Sequence, residues 1–345
     1  MTAARKTAPV KKKRINLALQ GGGAHGAFTW GVLDAILADD RLEIAAISGA
    51  SAGAMNAVVL ADGMREGGPA GARKQLEQFW RGVSLDGEMS DHQRTLFDSF
   101  LGFWDPLKIG QSIAENASTY ISPYQSNPLD INPLRDVVAD LIDFPALRAT
   151  NDLKLFVSAT CVRNGRIRVF RRPELTIDML MASACLPTVF KAVEIDGEAY
   201  WDGGYMGNPA LFPFFTETDA LDVVLVQINP LERREIPHSA RDIMNRLNEI
   251  TFNAALLQEF RAIDFVARLI DEGRLDHSHY KKIRMHRIEG GAALDAFAAD
   301  TKMEADFDFF KTLFDLGKTA GEQFLAAHFD AIGVAGSLDI AGLLD

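Results

Sequence analysis

The sequence has few residues that could form disulfides or bind a metal. Its 345 residues include only two cysteines, Cys161 and Cys185, and both fall in apolar segments. Isolated cysteines without paired spacing predict buried thiols in a reducing compartment and exclude a disulfide framework. No cluster of histidine, cysteine or carboxylate residues has the spacing of a metal site, so we expect neither a metal nor a cofactor.

Long apolar runs and an excess of positive charge are also missing. No apolar run reaches the roughly 18 residues of a membrane span, and residues 1–13 are basic without the apolar core of a signal peptide. The net charge of −11 argues against nucleic-acid binding. We therefore expect a cytoplasmic protein with a disordered basic tail, which is either simply solvated or makes transient contact with an anionic membrane surface.

A serine between glycines is the strongest motif that the chain does contain. Gly49-Ala50-Ser51-Ala52-Gly53 follows the apolar segment 44–47 and precedes a run of small residues. A strand, a tight turn and a helix in this order form a nucleophile elbow, in which the serine hydroxyl projects from the end of a sheet. The helix N-terminus also favours a developing alkoxide. The pattern predicts Ser51 as a nucleophile, with an ordinary turn in a glycine-rich chain as the alternative.

A run of glycines lies upstream, directly after a predicted strand over 15–20. Gly21-Gly22-Gly23-Ala24-His25-Gly26 precedes a helical pattern over 27–37. Consecutive glycines let backbone N–H groups point into one concavity, where they bind an anion or an oxyanion. The residues also fit the dinucleotide pattern G-x-G-x-x-G, but that site needs an acidic residue at the end of the next strand. Because that strand ends in the serine turn, we favour an oxyanion hole formed by Gly21, Gly22, Gly23, Ala24 and Gly26.

A third motif supplies a carboxylate. Residues 193–201 predict a hairpin with an Asp-Gly turn, and the hairpin ends in Asp202-Gly203-Gly204. A carboxylate at a strand end suits a catalytic base, because the glycines beside it let other backbone segments approach closely. Taken alone, Asp-Gly-Gly is typical of a simple turn.

Together, the three motifs resemble the patatin-like phospholipase family, which carries a glycine-rich loop, G-x-S-x-G and D-G-[A/G] in that order. The similarity covers about residues 14–230 and includes a small-residue segment over 182–190 and Asn208-Pro209. It implies a three-layer α/β/α fold with a mainly parallel sheet. It also implies a Ser–Asp dyad without histidine, in which Ser51 is the nucleophile and Asp202 the base. The backbone from Gly21 to Gly23 would form the oxyanion hole, and the supporting glycines would be Gly49, Gly53, Gly203 and Gly204.

A Ser-His-Asp hydrolase is the closest rival mechanism. Histidines do follow Asp202 in the required chain order, but none has the glycine-flanked or strand-end setting of a catalytic loop. These histidines are His238, His277, His279, His286 and His328. His286 lies in an alternating segment typical of a strand and is interpreted as structural. His25, inside the glycine loop, is assigned a role in shape rather than in proton transfer.

The rest of the chain predicts further strands and a helical end. An apolar segment over 222–228 is typical of a central strand in a covered sheet. Ser239 opens a long amphipathic helix that ends near Gly273. The residues along its apolar side are Ile243, Leu247, Ile250, Ala254, Leu257 and Val266. The other predicted elements are strands over 153–160 and 166–170 and a helix over 304–329, whose aromatic residues are interpreted as core. We divide the chain into a tail, a catalytic domain and a mainly helical extension packed on the same domain, over residues 1–13, 14–230 and 231–345.

Residues 62–132 are the part of the catalytic domain with the least characteristic sequence. They contain a flexible glycine-rich stretch over 67–71 and an aromatic stretch with Phe100 and Trp104. One hypothesis is a lid or an acyl-chain wall that opens at a lipid surface. The alternative is a segment that packs on the edge of the sheet.

The motifs and the resemblance predict a serine lipid acyl hydrolase, either a phospholipase A or a non-specific carboxylic ester hydrolase. It would act on a lipid or acyl-ester substrate through an acyl-enzyme on Ser51. The same dyad could instead hydrolyse polyesters, thioesters or lysolipids, because the fold does not choose the substrate. A non-catalytic scaffold or a nucleotide-binding protein is less favoured, since Ser51, Asp202 and the glycine loop are all intact.

Overall fold

An eight-stranded sheet lies at the centre of the residues that the computed structural model describes. Those residues are 12–84, 122–150, 152–187, 189–233, 236–295, 297 and 306–344. The strands, in chain order, are β1 (Lys13–Leu19), β2 (Leu42–Gly49), β3 (Lys154–Cys161), β4 (Ile167–Arg171), β5 (Val193–Ile195), β6 (Glu198–Asp202), β7 (Asp222–Gln227) and β8 (Arg284–Glu289). Hydrogen-bonded neighbours follow the path β5-β6-β3-β2-β1-β7-β8, and β4 also pairs with β3.

The middle of the sheet is parallel. β1 pairs in parallel with β2 and β7, β2 with β3, and β7 with β8. Antiparallel pairing occurs beside β3, where β4 and the β5–β6 hairpin lie. The hairpin turns at Asp196 and Gly197, which both have positive φ, as the Asp-Gly turn predicts.

Helices cover both faces of this sheet. Alternate residues of β1 enter different apolar clusters, so that Leu17 packs on one face and Ala18 on the other. The first face also buries Phe28 and Phe310, and the second buries Phe214 and Phe260. The helices are α1 (Gly26–Ala38), α2 (Ala52–Gly82), α3 (Pro123–Ser126), α4 (Pro133–Leu141), α5 (Phe144–Ala149), α6 (Ile177–Ser183), α7 (Phe212–Glu217), α8 (Ala240–Asp271), α9 (Gly291–Asp295), α10 (Phe307–His328) and α11 (Ile340–Leu344). The three-layer α/β/α fold expected from the sequence is confirmed.

The C-terminal residues are part of the layered fold. β8, from the segment expected to be mainly helical, forms one edge of the central sheet. Helix α10 crosses α1 at two glycines: a Cβ on Gly31 would lie 1.9 Å from Phe314 O, and one on Gly317 would lie 1.9 Å from Phe28 O. This close approach buries the aromatic residues of α10, as their spacing predicts. None of the helices described above combines the length and apolar composition needed to cross a bilayer.

Helix α8 buries a different face from the one that the sequence suggests. Ile243, Leu247 and Ile250, expected on its apolar side, are 42%, 51% and 50% exposed. A second apolar stripe on the same helix faces the sheet instead. Because that stripe carries two phenylalanine rings, it buries more apolar area in this contact. Its residues are Phe252, Leu256, Phe260 and Ile263.

Helix α2 is broken within the segment that the sequence marks as flexible. Gly68 has φ 61° and ψ −153°, a conformation that only glycine adopts readily. The second half of α2 returns along the first, since a Cβ on Gly63 would lie 2.6 Å from Ala72 Cα. At the end of this return, Trp80 Nε1 donates to Asn56 Oδ1 at 3.0 Å. Part of the segment 62–132 therefore packs beside the serine elbow.

Candidate active site

Ser51 occupies the sharp turn between β2 and α2. β2 ends at Gly49 and α2 begins at Ala52, as the elbow motif predicts. Ser51 has φ 51° and ψ −126°, a conformation that costs a non-glycine residue about 1–3 kcal/mol. The turn is held by Ser51 N–H, which donates to Ser183 O at 3.1 Å and to Ser183 Oγ at 3.0 Å. Such strain is typical of a serine whose side chain must project from the end of a sheet.

Asp202 comes close to this turn because β2 and β6 share one edge of β3. Residues 156–160 of β3 pair with β4, which fills the other edge. On the shared edge, β2 pairs with residues 154–157 of β3 and β6 pairs with residues 159–161. β2 runs parallel to β3 and β6 runs antiparallel to it, so their carboxyl ends point at each other. Ser51 follows one of these ends, and Asp202 is the other.

Burial strongly perturbs the Asp202 carboxyl group. Its side chain is fully buried, and this burial raises its pKa to about 7, although Gly204 N–H and the Ser51 hydroxyl act in the opposite direction. Oδ1 accepts Gly204 N–H at 2.7 Å. Oδ2 has no hydrogen-bond partner of standard geometry among the described residues. This oxygen is therefore available to a proton from Ser51, and catalytic hydrogen bonds often tighten only when substrate binds.

The glycine loop packs against Ser51 and is fixed at Gly21. A Cβ on Gly21 would lie 2.7 Å from Ser51 Cβ, so the loop faces the serine elbow. Gly21 N–H donates to Asn208 Oδ1 at 2.6 Å, and Gly21 O accepts from Asn229 Nδ2 at 2.7 Å. Gly21 therefore cannot serve as an oxyanion donor, which narrows the set of donors expected from the sequence. The N–H groups of Gly22 and Gly23 have no acceptor in the described part of the chain.

The loop then continues into α1. Gly23 has a positive φ of 59° and starts a short 3₁₀-helix over Gly23–His25, after which α1 begins at Gly26. A Cβ on Gly26 would lie 2.7 Å from Ala52 Cβ, so the first turns of α1 and α2 are in direct contact. Ala24 lies on the wall of a cavity that Ser51 and Ala52 also line. The predicted loop residues and Ser51 thus converge on one place.

Four glycines were expected to support the elbow and the base, and each lies against a neighbouring chain segment. A Cβ on Gly53 would lie 2.2 Å from Leu19 O, and one on Gly203 would lie 2.1 Å from Ser158 O. A side chain at either position would push β1 or β3 away from the site. The other two, Gly49 and Gly204, have similarly close contacts, with the backbone at Gly53 and with the Phe252 ring.

An apolar cavity opens beside Ser51. Its walls come from both halves of α2 together with residues of α4 and α10, a lining suited to an acyl chain rather than to a polar group. The lining residues are Gly23, Ala24, Ser51, Ala52, Met55, Phe79, Trp80, Val83, Leu134, Ala184 and Phe310. Three of them belong to the segment 62–132, for which the sequence leaves open a lid or an acyl-chain wall on one side and packing on the sheet edge on the other. Phe100 and Trp104, the aromatic residues of that hypothesis, lie outside the described residues.

His286 belongs to a cluster at the opposite edge of the sheet. Its Nε2 lies 3.1 Å from Asp222 Oδ1, and its Nδ1 lies 2.9 Å from Ser337 Oγ. Asp222 begins β7, whereas Ser51 follows the carboxyl end of β2 in the same parallel part of the sheet. No histidine in the described ranges hydrogen bonds to Ser51 or Asp202, so the rival Ser-His-Asp mechanism gains no support. No three His, Cys, Asp or Glu side chains there are grouped as a metal site.

Cys185 lies beside the carboxylate but is not suited to act as a nucleophile. Its backbone oxygen accepts Asp202 N–H at 2.8 Å. Burial raises the pKa of its thiol to about 12, so the thiolate is not populated at neutral pH. Cys161 and Cys185 are both buried and unpaired, as their apolar sequence context predicts.

Three side chains that the sequence analysis left without a role hold the site together. Ser183 binds Ser51 N–H, while Asn208 and Asn229 bind Gly21. Asn229 comes shortly after the end of β7, on the side of the sheet where the glycine loop lies. A polar residue that directly follows an apolar strand can be recognised in the sequence, so Asn229 could have been found there. Ser183 offers no comparable signal, because its contact joins residues 132 positions apart.

Comparison with solved structures finds a similarity to VipD from Legionella pneumophila. The two chains are 17% identical, and the match covers 90% of this chain and 67% of that chain with a TM-score of 0.37. No curated protein sequence matches this chain.

A family model supplies the decisive comparison. The model for patatin-like phospholipases matches residues 17–215, a segment that contains the glycine loop, the serine elbow and Asp202. This match covers more than half of the chain and agrees with the order of the three motifs. The chain therefore belongs to the patatin-like phospholipase family.

Proposed function

We propose that this chain is a serine acyl hydrolase that cleaves carboxylic esters of lipids with Ser51 as nucleophile and Asp202 as base. Family membership supports lipid acyl hydrolysis in general. The strained elbow, the buried carboxyl group and the glycine loop support the residue roles. The apolar cavity beside Ser51 supports a substrate with an acyl chain.

Attack on the ester begins with a proton transfer to Asp202. Ser51 Oγ bonds to the ester carbonyl carbon while its proton moves to the Asp202 carboxylate. A pKa of about 7 for Asp202 brings the carboxylate closer to the basicity of a useful general base than an exposed aspartate would be. The carbonyl oxygen becomes an oxyanion, which the N–H groups of Gly22 and Gly23 stabilise. Each such donor is worth roughly 10²–10³ in rate.

Collapse of the tetrahedral intermediate completes the first half of the reaction. The C–O bond to the alcohol breaks, and the alcohol takes the proton held by Asp202. An acyl-enzyme remains on Ser51, with its chain in the apolar cavity. Asp202, again ionised, then accepts a proton from water as the water oxygen attacks the acyl carbon. The bond between the acyl carbon and Ser51 Oγ then breaks, and Ser51 Oγ takes the proton held by Asp202, which releases the free fatty acid and restores the dyad.

The observation that carries this proposal is the fully buried carboxyl group of Asp202, whose pKa the Ser51 hydroxyl lowers, next to a serine in a strained elbow. Among its side-chain contacts this buried carboxyl group has only the Ser51 hydroxyl to hydrogen bond with, and such a costly arrangement is explained by a function that uses it. The neutral-range pKa fits the same role, as does the absence of a cation beside Asp202 among the residues that the structure describes.

Fatty-acid release from mixed phospholipid vesicles tests the proposal, with wild type compared with Ser51→Ala. We expect the substitution to lower release by about 10⁴-fold or more, as removal of a serine nucleophile does in other hydrolases. Ser278→Ala is a matched control, because Ser278 is an exposed serine whose hydroxyl contacts Asp276. Product lysolipids show which ester position is cut. Release by Ser51→Ala at the wild-type rate would overturn the proposal.

A further inference from the structure

Four buried side-chain amides surround the peptide that precedes the proposed oxyanion donors. Gln20, Asn208, Asn229 and Asn253 are each at most 3% exposed, and we call them the amide clamp. Buried amides are costly unless they are hydrogen bonded. The side chains of Gln20, Asn208 and Asn253 each donate and accept within the cluster or with the backbone beside it, and the side chain of Asn229 donates to both.

The clamp holds the Gly21–Gly22 peptide by its carbonyl group. Gly21 O accepts from Asn229 Nδ2 at 2.7 Å and from Asn208 Nδ2 at 3.4 Å. In a planar trans peptide the C=O and the next N–H point in opposite directions. Fixing Gly21 O therefore fixes the direction of Gly22 N–H, which points away from Asn229. A small rotation of this peptide would move the donor off the position of the oxyanion.

Gln20 holds Asn229 in this orientation. Gln20 Oε1 accepts Asn229 N–H at 2.9 Å, Asn229 Nδ2 at 3.2 Å and Ile228 N–H at 3.0 Å. Gln20 Oε1 therefore accepts three hydrogen bonds. It lies at the end of β1, directly before the glycine loop, so its backbone and its side chain both act on the same turn.

Asn253 connects this group to helix α8. Gln20 Nε2 donates to Asn253 Oδ1 at 3.1 Å, and Asn253 Nδ2 donates to Pro230 O at 3.0 Å. These two bonds orient the Gln20 amide and so determine that its oxygen, rather than its NH₂ group, faces Asn229. The contact between Gln20 and Asn253 joins residues 233 positions apart.

We infer that Asn229 and Asn253, which lie beyond the family-matched segment 17–215, are positioning residues for the oxyanion loop. The inference rests on the proposed function, in which Gly22 and Gly23 stabilise the oxyanion. Asn229 acts directly on the Gly21 carbonyl, and Asn253 acts through Gln20. The catalytic machinery thus extends into the C-terminal part of the chain.

The test compares Asn229→Ala and Asn253→Ala with wild type on a soluble aliphatic ester. An aliphatic trifluoromethyl ketone serves as a second probe, because Ser51 Oγ adds to its carbonyl and generates the same oxyanion without turnover. We expect kcat to fall by about 10–100-fold and the Ki of the ketone to rise by a similar factor, while KM stays within about twofold. Asn229→Ala should have the larger effect. Alanine is favourable within a helix, so Asn253→Ala preserves α8 if Asn229→Ala does not fold.

Asn248→Ala provides the control on the same helix. Asn248 is half-buried, and none of the hydrogen bonds of the amide clamp involves it, so kcat and Ki should not change. A purely structural role for Asn253 would lower the melting temperature and leave Ki at the wild-type value, and this result would overturn the inference. Failure of the proposed function gives a different result: Ser51→Ala would keep its activity, or the ketone would not inhibit wild type.

Discussion

Asp202 and Asp222 are both buried in the sheet, and their surroundings differ in almost every respect. Asp222 accepts two hydrogen bonds from Arg284, at 2.9 and 2.6 Å, and one from Gly333 N–H at 3.0 Å. His286 Nε2 lies 3.1 Å from the same carboxylate. Asp202 accepts one backbone N–H and, among the described residues, has no cationic partner.

The two pKa values show the consequence of this difference. Burial raises the pKa of both groups, but the hydrogen bonds from His286 and Arg284 outweigh it at Asp222, whose pKa lies well below its ordinary range. At Asp202 burial prevails, and the pKa is about 7. A buried carboxylate with several hydrogen-bonding and cationic partners stays ionised and stabilises the fold. A buried carboxylate with few such partners has a raised pKa and can accept a proton near neutral pH.

The largest effect that the comparison predicts is on catalysis. Asp202→Asn keeps an oxygen to accept Gly204 N–H but removes the proton acceptor for Ser51. We expect kcat on a soluble ester to fall by about 10³-fold, within the range for loss of a general base. Initial rates measure this fall. Asp222→Asn is the matched control, and its kcat per folded molecule should equal that of wild type; a variant at Asp202 with more than a tenth of wild-type activity would contradict the role of base.

The next largest effect is on stability and belongs to Asp222. Asp222→Asn removes the charge that compensates Arg284, so we expect the free energy of unfolding to fall by about 3 kcal/mol. The folded-state pKa of Asp222 is lowered. The stability that its charge contributes is therefore full above the unfolded-state pKa of about 4 and is lost progressively as the pH falls below that value. Urea unfolding at neutral and acidic pH measures both points. An equal loss at both pH values would show that the charge is not the cause.

The smallest effect is the pH dependence of wild type. Asp202 must be ionised to accept a proton, so kcat/KM should be level above about pH 7 and fall about tenfold for each unit below it. The measurement is kcat/KM on a soluble ester between pH 5 and 9. A profile that stays level down to pH 5 would show that burial does not raise this pKa.

Stability should respond to Asp202 in the opposite sense, which provides a control for the pH profile. A raised folded-state pKa means that the proton binds more tightly to the folded chain, so the stabilising contribution is full below about pH 4 and is lost as the pH rises toward 7. Asp202→Asn should therefore gain stability relative to wild type at pH 8 and lose this advantage near pH 4. Urea unfolding of both proteins at the two pH values measures the gain.

The sequence allowed prediction of those features that depend on neighbouring residues. The elbow at Ser51, the glycine loop, the hairpin before Asp202 and the α/β alternation all follow from local turn and strand patterns. The contacts of Gly21 with Asn208 and Asn229 join residues 187 and 208 positions apart, and no local pattern encodes them. The prediction of which face of α8 is buried was also wrong. Two apolar stripes run along that helix, and only its packing against the sheet determines which of them is buried.

The separation of Ser51 and Asp202, the proposed nucleophile and base, is set by the backbone, because β2 and β6 share one edge of β3. The two strands end opposite Val157 and Ala159, two residues of one strand and roughly 7 Å apart. Substitution of side chains cannot change this repeat, whereas insertion or deletion of one residue in β3 would. The long stretch of chain between β2 and β3 supplies much of the lining of the apolar cavity. Changes in that stretch do not alter the spacing of residues within β3. Substitutions in that stretch can therefore change the apolar cavity while the separation of Ser51 and Asp202 stays constant.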